Sequence, residues 1–302
     1  MSTDEPGSIK QWGVPLPFSI EEATRFGTPV WLYRSSVIEQ RFAEVSLFDV
    51  VRYAQKALPN IAILDLIRHL GGVVDAVSAG EISRALHVGF DPKAKIPGVV
   101  YTADLFDDEA LRLIAEHSIP VNVGSPDMLE QLAAAEISVP VTLRINPGFG
   151  HGHSRKTNTG GELSKHGIWH EEIESVVARG RELGLNLQGL HLHIGSGTDL
   201  EHLSKLCDSM IDASRRFGPG LRTISAGGGL PSSYKKGERA TEPIDLRAYY
   251  QLWDQARKVI EAEAPRQLPI LAMEEGRIDP RLILGLNAAA EDDLSARPSH
   301  HD

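Results

Sequence analysis

Lys56, His193, a run of three glycines at 227–229 and the acid–base cluster Glu274–Arg277 are the residues of this chain that could do chemistry rather than pack. Lys56 ends the run Phe48-Asp-Val-Val-Arg-Tyr-Ala-Gln-Lys-Ala57, so a short apolar strand delivers one lysine to a strand end, among Ala54, Ala57 and Leu58. Apolar surroundings lower a lysine pKa by desolvation, and a free amine near neutral pH forms a Schiff base with an aldehyde such as pyridoxal phosphate. The competing reading is a lysine that snorkels from the rim of a core. Glycines 227 to 229 lack a Cβ, so their backbone N–H groups can come close to an anion. His193-Ile-Gly-Ser-Gly197 adds the Ser196 hydroxyl, and Arg277 adds a cation. A carboxylate such as Glu274 keeps a pyridine nitrogen protonated, and His193 can lie against a ring face. Taken singly, Glu274 reads as a solvated acid, His193 as a satisfied core histidine and the glycines as a tight turn.

The elements that must position these groups alternate. Candidate strands are Asp49–Tyr53, Val73–Val77, Val99–Thr102, Pro120–Val123, Val139–Ile145, Leu187–Ile194, Arg222–Ser225 and Pro269–Met273. Helical patterns lie between them at Ile61–Leu70, Ile82–Val88, Asp107–Glu116, Pro126–Ala135, Glu171–Leu183, Leu200–Phe217 and Leu246–Ala262, with Ser36–Val45 before the first strand. Gly71-Gly72, Gly89, Gly184 and Gly218 fall where helices should stop. Such alternation gives an α/β chain with a parallel sheet, and eight strands in about 230 residues predict a (β/α)8 barrel. A doubly wound open sheet is the alternative, but no Gly-x-Gly-x-x-Gly follows an early strand.

The strand ends favour the barrel. After successive strands come Lys56, Ser78-Ala-Gly-Glu81, Ala103-Asp104, Gly124-Ser125, Arg144-Ile-Asn146, His193 to Gly197, Gly227 to Gly229 and Glu274-Glu-Gly-Arg277. In a barrel these ends converge on the face where active sites are built, which a structural protein has no reason to crowd with Lys, Arg, His and Glu. The connection Pro147 to Trp169, rich in glycine and histidine and without helical or strand period, is expected to be an active-site loop. Histidine also supports a rival chemistry. His191 and His193 share one strand face, and His151, His153, His166 and His170 are near in sequence, so a metal-dependent barrel hydrolase is the alternative of a different class. The absence of an Asp at the end of the eighth strand weighs against it.

A formal net charge of −10, from 41 acids and 31 bases, disfavours nucleic acid and anionic membrane as partners. The single cysteine, Cys207, suits a reducing cytoplasm and is expected in the core face of a helix. The acidic start Met1-Ser-Thr-Asp-Glu is not that of a signal or transit peptide, and no apolar run approaches the roughly 20 residues that span a bilayer.

Together, Phe48–Ala57, Asp75-Ala-Val-Ser-Ala-Gly-Glu81, Arg144-Ile-Asn-Pro-Gly-Phe-Gly-His-Gly-His153, Lys156-Thr-Asn-Thr-Gly-Gly161, Ser164-Lys-His-Gly167, His191 to Gly197 and Ile224-Ser-Ala-Gly-Gly-Gly229 resemble bacterial diaminopimelate decarboxylase. That family belongs to the fold-type III pyridoxal-phosphate enzymes, with alanine racemase and ornithine decarboxylase. The resemblance implies an alanine racemase-like (β/α)8 barrel holding pyridoxal 5'-phosphate and decarboxylating meso-2,6-diaminoheptanedioate to L-lysine. It implies Lys56 as the lysine that bonds the cofactor aldehyde and His193 as its stacking partner. Ser196, Gly227, Gly228, Gly229 and Gly276 would hold the phosphate, and Glu274 the pyridine nitrogen. Arg144 would lie near the phenolic oxygen, Arg277 would meet phosphate or substrate carboxylate, and Asp75 and Glu81 would support them. A cytoplasmic homodimer and a small amino-acid substrate are implied as well. A pyridoxal-phosphate barrel without turnover is the alternative within the class. The match runs from about Pro29 to Arg277, where the family's Glu-Pro-Gly-Arg stands as Glu274-Glu-Gly-Arg277. Beyond it the family's β-rich C-terminal domain, with its Cys-x-Ser-x-Asp motif and cofactor tyrosine, finds no counterpart, so the chain reads as a truncated or frame-disrupted copy, or as a fragment. The expected division is a 1–35 segment that would pair with that domain, a 36–277 barrel and a divergent, disordered 278–302 tail.

Overall fold

Strand alternation sets the architecture. In β1 (Val50–Ala54), Val51 and Tyr53 join the main core beneath the helices, whereas Val50 clusters apart from it with Val73. Successive side chains of a strand point to opposite faces, so Val50 and Arg52 look inward while Val51 and Tyr53 look outward. The computed structural model describes residues 25–27, 31, 33–150, 159–195, 199–228, 245–263 and 281–286, the last stretch for its backbone alone.

The remaining strands are β2 (Val73–Ala76), β3 (Val99–Tyr101), β4 (Val121–Val123), β5 (Pro140–Asn146), β6 (Ile168–Trp169), β7 (Asn186–Leu192), β8 (Thr223–Gly227) and β9 (Arg281–Leu286). Every pairing among them is parallel. β1 joins β2, β2 joins β3, and so on through β4, β5, β7, β8 and β9, which returns to β1. The ring of eight is a closed barrel, with β6 added beside the end of β5. Helices α1 (Ser35–Glu44), α2 (Ile61–His69), α3 (Ala79–Val88), α4 (Asp108–His117), α5 (Pro126–Ala134), α6 (Ile173–Glu182), α7 (Leu200–Phe217) and α8 (Leu246–Glu263) sheathe it. Side chains of Asn60, Ser78, Asp107 and Asp199 accept the first free N–H groups of α2, α3, α4 and α7. Gly89 stops α3 at φ +97°.

The core lies between strands and helices. Tyr249 and Trp253 of α8 are fully buried, and Tyr249 reaches the Ala226 carbonyl of β8 at 3.5 Å. Phe48 packs against Tyr249 at 5.6 Å. Cys207 lies buried on α7 as expected, its thiol pushed up to about 12 by burial and then by Asp208.

Seven strands stand within a residue or two of their expected positions. The eighth differs. Pro269–Met273 lies outside the described residues, and Arg281–Leu286 occupies the eighth place in the ring, inside the stretch expected as a tail. Main-chain pairing to β1 and β8 on both sides selects an extended apolar segment there. A second difference is β6, since two residues are too few for a strand period to show. No helix among the described residues is long and apolar enough to cross a membrane.

Candidate active site

The inward faces of the strands are polar where most barrels are filled with branched apolar side chains. Arg52 of β1 and Asp75 of β2 come within 4.0 Å. Thr102, just past β3, donates its hydroxyl to Asp75 at 3.4 Å and accepts the Asn122 amide of β4 at 2.8 Å. Across the barrel, His191 of β7 bonds the Ser225 hydroxyl of β8 through Nδ1 at 2.8 Å. Arg144 of β5 stands beside His191 in register. Arg52, Asn122, His191 and Ser225 are all buried, so this belt holds charge away from water. Burial raises the Asp75 pKa, and Arg52, Thr102 and Lys56 offset only part of that rise. Burial likewise pulls the Arg52 and Arg144 guanidinium pKa values down, against Asp75 and Asp104 respectively.

Above the belt the strand ends open into a mouth. Lys56 occupies the turn Gln55–Ala57 that follows β1. The apolar enclosure expected around it is corrected by the structure: Lys56 is exposed, and its charge acts on Asp75, Glu81, His191 and His193. The strand ends abruptly in this turn and lifts the side chain out of the core its neighbours join. Glu81 is buried, its carboxylate accepts the Val77 N–H at 2.8 Å, and its own backbone N–H donates to the Ser78 hydroxyl oxygen at 3.3 Å.

His193 follows β7 at the same mouth. Its Nδ1 accepts the Gly228 N–H at 3.3 Å, and burial, then Arg144, then Lys56 lower its pKa to about 3. The ring is therefore neutral at physiological pH. Gly227 sits at φ +67°, and a Cβ there would fall well inside contact with the Leu192 carbonyl and 3.0 Å from His193 Cβ. Only glycine fits this turn.

The connection after β5 is tied to the mouth at both described ends. Asn146 Oδ1 accepts the N–H groups of Gly148 at 3.1 Å and Gly161 at 2.9 Å, and its Nδ2 donates to the Gly161 carbonyl at 3.0 Å. Thr159 donates its hydroxyl to the His193 carbonyl and its N–H to the Ile194 carbonyl, each at 3.3 Å. His166, near its end, approaches Asp104 at 2.7 Å, and Arg144 approaches the same carboxylate at 3.6 Å.

Lys56, His193, Gly227 and Gly228 thus stand at one rim of the barrel, above the belt that holds Asp75 and Arg144. Ser196, Gly229, Glu274, Gly276 and Arg277 lie outside the described residues. Arg52, Thr102, Asn122 and Ser225 had no role in the sequence reading. Their signal was a single polar residue within or just after an otherwise apolar strand. Among the described residues no three metal-ligating side chains converge. His191 Nδ1 is held by Ser225, and Arg144 and Lys56 surround both strand histidines with positive charge, which repels a cation.

These residues fit a phosphorylated aldehyde. Lys56 supplies an accessible primary amine, the glycine turn supplies close backbone, His193 a neutral ring and Arg144 a cation for an anionic oxygen. Residues 35–278 match the family model described as "Pyridoxal-dependent decarboxylase, pyridoxal binding domain". The chain belongs to that family, and its cofactor is pyridoxal phosphate. Among relatives, the diaminopimelate decarboxylase of Streptomyces coelicolor is 47% identical over 276 residues, which cover 91% of this chain and 61% of that protein. A crystal structure of diaminopimelate decarboxylase superposes with a TM-score of 0.76 at 45% identity, covering 87% of this chain and 59% of the other. The Helicobacter pylori diaminopimelate decarboxylase complexed with L-lysine gives 0.74 at 26% identity, with 88% and 66% covered. The chain therefore spans about three fifths of the length of these relatives.

Proposed function

We propose that this protein is a pyridoxal-phosphate carboxy-lyase that converts meso-2,6-diaminoheptanedioate to L-lysine and CO2. The observation that carries the proposal is the position of Lys56, exposed at the barrel mouth, its charge reaching Asp75, Glu81 and His193. The diaminopimelate decarboxylases of Streptomyces coelicolor and Escherichia coli, each 47% identical over most of this chain, support the substrate.

In this reading Lys56 would hold the cofactor by its aldehyde, and Asp75 and Glu81 would face the lysine amine and balance its charge. His193, neutral on Nδ1, offers a ring face without adding charge. The Gly229 N–H and the Ser196 hydroxyl would take the phosphate, with Gly276, on a turn whose other two glycines bond inward to Ser225 and His193. Glu274 would keep the pyridine nitrogen protonated, Arg144 would meet the phenolic oxygen, and Arg277 would take a carboxylate. Bound there, the pyridoxal ring supplies the electron sink that loss of CO2 from an α-carbon requires. Asn146 and Thr159 hold the described ends of the connection after β5 at the mouth. A homodimer in the cytoplasm belongs to the same reading.

The test is release of L-lysine and CO2 from meso-diaminopimelate by the purified protein with added pyridoxal 5'-phosphate, beside Lys56→Ala. Activity in the unaltered protein and none in the variant supports the proposal. Product formation that survives Lys56→Ala, or none from the unaltered protein with cofactor bound, rejects it.

A further inference from the structure

We infer that His191 and Ser225 form a buried positioning pair that fixes the Gly227 turn, and through it the affinity of the site for the 5'-phosphate of its cofactor. This rests on the cofactor site proposed above and adds two residues to it. Four observations carry it. His191 Nδ1 and Ser225 Oγ are 2.8 Å apart, and both side chains are buried. The same Ser225 oxygen accepts the Gly227 N–H at 3.3 Å, so a continuous chain of bonds runs from the β7 interior to the first glycine of the turn. Gly227 is at φ +67° against the Leu192 carbonyl and His193 Cβ, so a small change in its N–H direction moves the turn against β7. The next amide, Gly228, is held by His193 Nδ1 at 3.3 Å.

His191 on β7 and His193 just past its end therefore anchor one glycine turn, His191 through Ser225 and His193 directly. The N–H groups of Gly227 and Gly228 bond inward to Ser225 and His193, so the pair sets where the backbone of the turn stands, and ordering that backbone at the moment of binding costs affinity. Burial and the charges of Arg144, His193, Arg52 and Lys56 hold His191 well below the usual histidine range, so its bond to Ser225 does not come and go with physiological pH.

The experiment compares dissociation constants of pyridoxal 5'-phosphate and of pyridoxal, read by absorbance titration of the whole chain. Four proteins are used: unaltered, Ser225→Ala, His191→Leu and His191→Asn, whose amide can replace Nδ1. Ser225→Ala and His191→Leu should weaken pyridoxal 5'-phosphate about tenfold and pyridoxal less than about twofold, and His191→Asn should recover most of the loss. Equal loss for both ligands, or no loss at all, overturns the inference. Equal affinity of the unaltered chain for the two ligands overturns the phosphate site itself, and the inference with it. A measurement on the unaltered chain guards against variants that fold poorly. The imidazole nitrogen signals of His191 should show one neutral tautomer between about pH 5 and pH 8. They should shift on adding pyridoxal 5'-phosphate and stay unmoved by pyridoxal, and a spectrum that both ligands move alike counts against the pair.

Discussion

His193 Nδ1 accepts the backbone N–H of Gly228 at 3.3 Å, which ties the ring to the glycine turn through the one nitrogen that must carry no proton. Protonation would break that bond, and burial beside Arg144 and Lys56 makes it costly. His191, deeper in the same strand face, is depressed too, by burial first and then by Arg144.

A pH dependence of stability follows, with a definite sign. An unfolded histidine takes its proton near pH 6.5, while folded His193 takes it near 3. Between these values the unfolded chain binds more protons, so stability present above pH 6.5 is lost as pH falls. Each depressed histidine should cost about 1 kcal/mol by pH 5.5. Asp75 and Glu81, raised by burial, act in the opposite sense and are common to all variants. Thermal melts of His191→Asn should therefore lose less on going from pH 7 to 5.5 than those of the unaltered chain. Parallel loss in both would contradict the assignment.

Covalent labelling checks Lys56. Borohydride reduction with pyridoxal 5'-phosphate, followed by peptide mapping, should place the cofactor mass on Lys56. Lys56→Ala should abolish the label and leave the melting temperature within about 2 °C, because the side chain is exposed. A label on a different lysine in the unaltered chain would sink this assignment.

Two glycines of similar φ separate close approach from backbone conformation. Gly227 is at +67° against β7, whereas Gly184 is at +72° with open space around it. Gly184→Ala should cost about 1 kcal/mol, the price of a left-handed alanine. Gly227→Ala should cost about 3 kcal/mol or more, because the added carbon meets a carbonyl that cannot move without β7. Denaturant melts of the two variants give the comparison, and equal losses would refute the role of packing.

Asn146 was visible only as a polar residue after a strand, yet it holds both described ends of the following connection. Asn146→Ala should speed hydrogen exchange at the Gly148 and Gly161 amides by about tenfold, since both lose the acceptor Oδ1. Unchanged exchange at both would show that the connection is held elsewhere.

The order of elements was legible in the sequence because it depends on local rules. Period-two runs such as Val139–Ile145, caps such as Asn60 and Ser78, and the glycine after α3 act over a few residues, and they brought seven strands to their places. Lys56, Arg144, His193 and Gly227 were legible for a related reason: strand ends of a parallel barrel share one face whatever the fillings of the strands. The tertiary structure alone decided which groups meet. Arg52 and Asp75, Thr102 and Asn122, and His191 and Ser225 touch across neighbouring strands, and the pairing register that sets such contacts depends on how the ring closes. It also decided that Lys56 stands exposed among charges rather than in an apolar sleeve, and that Arg281–Leu286 takes the eighth place. Burial, register and the field of distant charges are properties of the closed barrel, and no window along the chain contains them.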